Sequence, residues 1–257
     1  MRRLGWLVLV VGVVLFAACG GDEEATPELT DKPTSESTLE VTETVAPTME
    51  ATAEPVTACV QALVSDGTKH LLMRVDKEQA LPDGYTPEVM QLPMQYILAG
   101  YTEQNLVPEA AEALMAMLDA ASESGHTVVV RSSYRSYDEQ VWTFAYWVEQ
   151  VGEEQAERES ARPGHSEHQL GQTVDVTSAA VGWELSQALG ATPEGMWLHT
   201  HLADFGFALS YPLGEEETTG YIYEPWHLRY VGTACAAEWQ ASGLTLIEVL
   251  RGDHLGS

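Results

Sequence analysis

The chain has 257 residues, 45% hydrophobic and 20% charged, a balance that suits one globular domain of about 200 residues with extensions and is too apolar for a wholly disordered chain. Lys+Arg number 12 against Asp+Glu 39, a formal net charge of −27 that excludes nucleic acid as a partner and argues against an electrostatic patch for anionic lipid headgroups. Three cysteines are too few for a disulfide-built scaffold, and a core of this size does not need one.

Met1-Arg2-Arg3 is a short basic start, and an apolar run follows from Leu4 to Ala18. At about 15 residues the run is short for a membrane span, which needs roughly 20, and suits the apolar region of a secretory signal. It ends in Leu15-Phe16-Ala17-Ala18-Cys19. This resembles the lipobox of bacterial lipoproteins, with Phe16 where leucine is usual. The resemblance implies that residues 1–18 are a lipoprotein signal peptide and that Cys19 becomes the lipid-modified first residue of the mature chain. The protein would then be exported and held on the outer face of the cytoplasmic membrane by that lipid alone. The alternative is a plain signal peptide with an incidental cysteine. From Gly20 to Thr57 there are ten Asp/Glu, one Lys, eleven Ser/Thr and four Pro. Such a stretch cannot bury enough surface to offset its ordering entropy, so residues 19–57 are expected to be a solvated acidic linker.

Residues 58–257 form the expected folded domain. With Cys19 given to lipid, Cys59 and Cys235 remain, and an exported chain most simply pairs them. The alternative is two unrelated buried thiols. No internal repeat is present. Pro108 to Ser124 carries Ala111, Leu114, Met115, Leu118 and Ala121 at helical spacing, with a first-turn proline and Gly125 as the stop. His126 to Ser132 is short and β-branched, a buried strand. Ser136 and Glu139 form a capping box that opens a helix over Tyr137–Gln150, with Val141, Phe144, Ala145 and Val148 as its core face. Thr173–Thr177, Phe207–Tyr211 and Gly220–Tyr223 read as further strands. Thr192-Pro193 begins a helix through Asp204, stopped by Gly206, and Thr233–Ala241 closes the domain as another helix. Helices beside a few short strands, without regular βαβ alternation, predict α+β: a small, mostly antiparallel sheet flanked by helices.

Two segments carry candidate chemistry. In Gly164-His165-Ser166-Glu167-His168-Gln169-Leu170-Gly171-Gln172-Thr173-Val174-Asp175, a glycine turns the chain between a histidine and a strand aspartate. In Glu224-Pro225-Trp226-His227, a carboxylate and an imidazole stand three residues apart. A hydrolytic zinc site uses three N/O protein ligands and keeps one position open. His168, Asp175 and His227 supply such a set, which leaves Glu224 free as a base toward the attacking water. There is no HExxH, and on spacing alone Asp175 could equally cap or pair locally while the histidines sit on an acidic surface.

Taken together with Ser132-Ser133-Tyr134-Arg135-Ser136-Tyr137-Asp138-Glu139-Gln140, these segments resemble the zinc D,D-carboxypeptidases of the VanY type. That superfamily also holds D-alanyl-D-alanine dipeptidases and the zinc domain of Hedgehog. The likeness runs from about Val75 through the Phe205-Gly206-Phe207 segment to Glu224-Pro225-Trp226-His227-Leu228-Arg229-Tyr230-Val231-Gly232. The family pattern SxHxxGxAxD is met at Ser166, His168, Gly171 and Asp175, with Thr173 where alanine is usual. The resemblance implies a Hedgehog/D,D-peptidase-like fold, one Zn2+ held by His168, Asp175 and His227, and Glu224 as catalytic base. It also implies that Arg135 grips the substrate's terminal carboxylate or polarises the scissile region, with Gln140 and Ser166 lining the same end of the cleft. The implied substrate is the C-terminal D-alanine bond of peptidoglycan stem peptides, and a monomer is expected. An L,D-carboxypeptidase, a D-Ala-D-Ala dipeptidase, a wall endopeptidase and a non-catalytic wall-binding lipoprotein are the rival readings. The walls that would discriminate them are expected in the segments Val151–Arg162 and Leu213–Thr219.

Other residues read as structural. Arg131 and Arg229 fall off the family's functional positions. His165 is at most a neighbour of the metal segment, and His199 and His201 are polar surface or core. Tyr137, Trp142, Phe144, Tyr146 and Trp147 read as core and groove lining, and Trp226 as a shield for the metal. No glycine-rich phosphate loop and no GxSxG elbow is present.

Overall fold

The computed structural model describes Cys59 and residues 69–251, all within one compact unit, Ala51–Ser257. The expected signal peptide, Cys19 and the linker lie outside the described residues. Among the described residues no helix is long and apolar enough to cross a membrane.

The first long helix, α1, spans Pro108–Glu123. Proline at its first position removes one of the N–H groups that a helix start leaves unpaired, and Ala110, Ala111, Leu114, Met117, Leu118 and Ala121 form its buried stripe. Strand β3 (Val128–Ser132) follows after Gly125 turns the chain at φ 86°. Helix α2 (Tyr137–Val151) opens with the predicted capping box: the Glu139 backbone N–H donates to the Ser136 hydroxyl, and the Ser136 N–H donates to the Glu139 carboxylate. A short helix α3 (Glu153–Glu159) leads to β4 (Thr173–Ser178), then α4 (Pro193–His201), β5 (Phe207–Leu209), α5 (Glu216–Thr219), β6 (His227–Tyr230), α6 (Thr233–Ser242) and α7 (Leu246–Arg251). Two short strands before α1, β1 (Met90–Gln91) and β2 (Asn105–Leu106), pair with each other.

The main sheet has the order β3-β4-β6-β5, and every neighbouring pair is antiparallel. All six residues of β4 are buried, because the sheet is covered on both faces. Side chains still alternate across the pleat. Val174, Val176 and Leu228 join Leu114, Met117, Leu198 and Leu202 in the main core, and Asp175, His227 and Arg229 take the opposite face. Cys59 and Cys235 are joined by a disulfide, across 176 residues of sequence.

Two expectations about elements are corrected. Gly220–Tyr223 is not a strand; the ladder position belongs to His227–Tyr230, which pairs with both β4 and β5. Gly220 sits at φ 78° as the cap of α5, and the aromatic pair Tyr211 and Tyr221 packs ring to ring at 4.5 Å instead of entering a ladder. Along α2 the predicted apolar face is not core. Val141 and Ala145 are exposed, Phe144 and Val148 are half-buried, and Gln140 is the one residue of the helix that is buried.

Candidate metal centre

The centre lies on the polar face of the sheet. Asp175 and His227 are direct cross-strand partners in the β4–β6 ladder, so one backbone register sets both side chains side by side. His168 comes from a single 3-10 turn, Glu167–Leu170, that Gly171 ends in the left-handed conformation at φ 73°. A Cβ at Gly171 would lie 3.0–3.2 Å from Pro87, Val89 and Val107, so both backbone and space require glycine there. A register shift between Val130 and Ser132 brings Ser132 opposite Asp175 and carries the following residues to the site.

One donor atom from each of His168, Asp175 and His227 lies within 4.8 Å of the other two, and all three residues are buried. His168 Nε2 stands 3.2 Å from Asp175 Oδ2, and His227 Nδ1 stands 3.2 Å from Asp175 Oδ1. Bonds of about 2.0–2.1 Å to a tetrahedral zinc imply ligand-to-ligand edges of about 3.3–3.4 Å, close to those spacings. Each imidazole is oriented through its other nitrogen. His168 Nδ1 donates to the Ser133 carbonyl at 2.7 Å, and His227 Nε2 donates to Glu167 Oε2 at 2.9 Å. This leaves Nε2 of His168 and Nδ1 of His227 facing the same point. Asp175 Oδ1 is buried yet accepts no hydrogen bond among the described residues, an orphan atom that a cation would satisfy. Two nitrogens and one carboxylate oxygen, closely spaced and dry, fit zinc.

The charges around this point are strongly perturbed. Burial alone would raise the Asp175 carboxyl, but the neighbouring imidazoles His168 and His227 outweigh it and hold Asp175 well below the usual carboxylate range. Glu167 is likewise opposed by burial, yet Arg229, His227 and Ser210 bring it down to about 2. The Asp175 and Glu167 carboxylates overcome burial at His227 and raise it to about 10. Glu224 goes the other way: burial, with Asp175 and Glu167 nearby, pushes it up to about 8. Its Oε2 is 3.6 Å from His227 Nδ1, so it stands beside the three donor atoms without joining them.

All four residues open on a cleft of about 620 Å³. Arg135 and Ser166 line it as expected. The Arg135 guanidinium donates to Gln140 Oε1 at 2.9 Å and Ser132 Oγ at 3.1 Å, and forms no ion pair among the described residues. Gln140 differs from expectation. It is wholly buried behind Arg135, with its amide N–H groups donating to Ser160 Oγ and the Ala161 carbonyl, so it positions the arginine and does not line the cleft. Of the two expected walls, Glu159, Ser160 and Ala161 are present but Leu213–Thr219 contributes nothing; Glu184 to Gln187 form the other wall. Arg131 holds that wall, donating to the Trp183 carbonyl and pairing with Glu184 at 3.0 Å. Trp226 lines the cleft beside the centre. His165, His199 and His201 bond to the carbonyls of Asp76, Pro225 and Trp197, and none of them lines the cleft.

Glu167 and Tyr211 were missed by sequence reasoning. Glu167 occupies a variable position of SxHxxGxAxD, and its role depends on Arg229 and Ser210, which lie 62 and 43 residues away. Tyr211 packs its ring 4.6 Å from His227. The available signal for Glu167 was Arg229: a second charge buried beside the histidine motif needs a carboxylate.

The profile of the family described as VanY, D-alanyl-D-alanine carboxypeptidase, matches residues 103–233. The chain belongs to this family. It is 40% identical over 182 residues to the putative carboxypeptidase YodJ of Bacillus subtilis, a match covering 70% of this chain and 67% of that one. The solved LdcB LD-carboxypeptidase is 39% identical with a TM-score of 0.63, covering 69% of this chain and 84% of that one. A variant of the VanY D,D-pentapeptidase from a VanB-type resistance cassette, solved in complex with Zn(II), is 29% identical with a TM-score of 0.60, covering 70% of this chain and 99% of that one. Membership makes this VanY-family chain a metallopeptidase, with zinc as its cofactor.

Proposed function

We propose that the chain is an exopeptidase that removes the C-terminal D-alanine from peptidoglycan stem peptides. The observation that carries this reading is the pairing of functions in one cleft: a metal trio with an adjacent unligated carboxylate, and an arginine with no carboxylate partner among the described residues. His168, Asp175 and His227 hold the zinc, and a zinc ion held there supplies Lewis acidity. Glu224 takes the proton of the attacking water and returns it to the leaving amine. Arg135 receives the terminal carboxylate through its planar fork, held in place by Gln140 and Ser132. A chain end differs in charge from an internal bond only by that carboxylate, and an acidic domain would repel it without such a cation. Export and lipid attachment at Cys19 belong to the same reading, because the wall substrate lies outside the cytoplasmic membrane.

A second reading is L,D-carboxypeptidase, cutting one residue further in. What favours it is identity: 39% to the LdcB LD-carboxypeptidase against 29% to the VanY D,D-pentapeptidase. The deciding experiment incubates zinc-loaded protein with pentapeptide and tetrapeptide stems and identifies products by mass. Loss of D-alanine from the pentapeptide supports the first reading, and loss from the tetrapeptide alone supports the second. Cleavage inside a peptide amidated at its end, at an undiminished rate, would remove Arg135 from its role and favour an endopeptidase.

A further inference from the structure

Helix α2 carries an aromatic face that the fold does not cover. Trp142 is 75% exposed and Tyr146 56%. Such a face on a domain with a complete core marks a binding surface more often than a packing fault. It is continuous with the cleft. Thr143 and Trp147 of the same helix line the cleft wall, and the rings of Tyr146 and Trp147 meet edge to face at 5.6 Å. Trp142 lies one helical turn from Tyr146, so an aromatic strip leads from inside the cleft to the outer surface.

The chemistry of the strip selects its occupant. Asp138, Glu139, Glu149 and Glu153 stand on or next to the same helix, in a chain of net charge −27, so anionic lipid and anionic polymers are repelled. Rings that offer a flat apolar face and a polar edge suit an uncharged ring molecule with one apolar face. A pyranose has that shape: its axial C–H groups stack on indole and phenol faces while its hydroxyls stay in water. A stem of four residues spans at most about 14 Å when extended, so a sugar attached to a stem whose end sits at the metal trio stays within that reach of the trio.

We propose that Trp142 and Tyr146 bind the glycan-strand sugar that carries the stem peptide being trimmed. This rests on the reading of the cleft as a stem-peptide site, and the test separates the two. The full-length protein and its Trp142→Ala, Tyr146→Ala and doubly substituted variants are compared on a free stem peptide and on the same peptide attached to its N-acetylated disaccharide. The double variant is expected to raise KM on the sugar-bearing substrate by about 10-fold, with kcat and the free-peptide KM unchanged. Trp142→Phe and Tyr146→Phe, which keep a ring, should restore KM. Direct titration of the peptide-free disaccharide, followed by tryptophan fluorescence, reads the strip without catalysis. A protein that cleaves neither substrate but binds the disaccharide through Trp142 supports the strip as a sugar site and removes the stem-peptide reading on which its link to trimming rests. A protein that cleaves both with one KM, whatever stands at 142 and 146, overturns the proposal alone. So does a strip whose substitution abolishes binding to phosphatidylglycerol vesicles, or self-association in sedimentation, while the sugar-bearing substrate is handled as before.

Discussion

Each imidazole of the trio donates a hydrogen bond from the nitrogen turned away from the centre, and this decides which nitrogen remains for the metal. His168 is oriented by a backbone carbonyl, which no side-chain substitution can remove. His227 depends on Glu167, a buried carboxylate that also accepts from Ser210 at 2.6 Å and from Arg229 at 2.7 Å. Glu167→Ala is therefore expected to weaken zinc binding by about 10–100-fold, measured by competition with a chromophoric chelator. Unchanged zinc affinity would mean that the β4–β6 register alone orients His227. Glu224 makes no contact that the trio needs, so Glu224→Gln should retain stoichiometric zinc and the wild-type melting temperature. Its kcat should fall by about 10²–10⁴-fold, and near-wild-type turnover in the zinc-loaded variant would rule out the base assignment.

At the scale of elements, β4 has a defect that its position explains. Thr173 is wholly buried, and its hydroxyl has no hydrogen-bond partner among the described residues. The family pattern has alanine there, and the hydroxyl is an uncompensated polar group in a dry sheet. Thr173→Val keeps the β-branch and removes that group, so it should stabilise the domain by about 1–2 kcal/mol, read as a higher melting temperature. A lower melting temperature would show that the hydroxyl has a partner in solution. The turn at Asp76 is built the opposite way. Burial pushes this carboxyl up, but Arg74 at 2.6 Å and the backbone N–H groups of Gln79 and Glu78 outweigh it, and the net shift is downward. A carboxyl lowered in the folded state contributes stability above its unfolded value of 3.8, and that contribution is lost as pH falls through the lower folded value. Asp76→Asn should thus cost about 1–2 kcal/mol at pH 7. Urea titrations at descending pH should show the wild type and variant converging below pH 3.8. A gap that stays constant down to pH 2 would assign the cost to packing.

At the scale of the whole molecule, the disulfide ties Cys59 to α6 and so closes nearly the entire domain into one loop. Constraining an unfolded loop of that length is worth on the order of 3–5 kcal/mol. The Cys59→Ser, Cys235→Ser double variant should lose stability of that order in denaturant titration while still binding zinc, because the trio lies within the closed loop and not at its junction. Loss of zinc binding together with the disulfide would show that the bond holds the site itself.

The sequence by itself determined the parts that depend on neighbours in the chain. The capping box at Ser136, the proline start and apolar stripe of α1, and the turn at Gly171 are local signals, and each stands where it was read. The residues His168, Asp175, Glu224 and His227 were legible as a set through their resemblance to the family's motifs, and the structure brings the four to one cleft. The tertiary structure decided what depends on partners distant in sequence. The ladder strand is His227–Tyr230 and not Gly220–Tyr223, because pairing with β4 and β5 outweighs the β-propensity of a Tyr-Ile-Tyr run. Gln140 serves Arg135 from behind because Ser160 and Ala161 take its amide, twenty residues on. Val141 and Ala145 of α2 face outward, and no period in a sequence records which helix finds a place on the sheet.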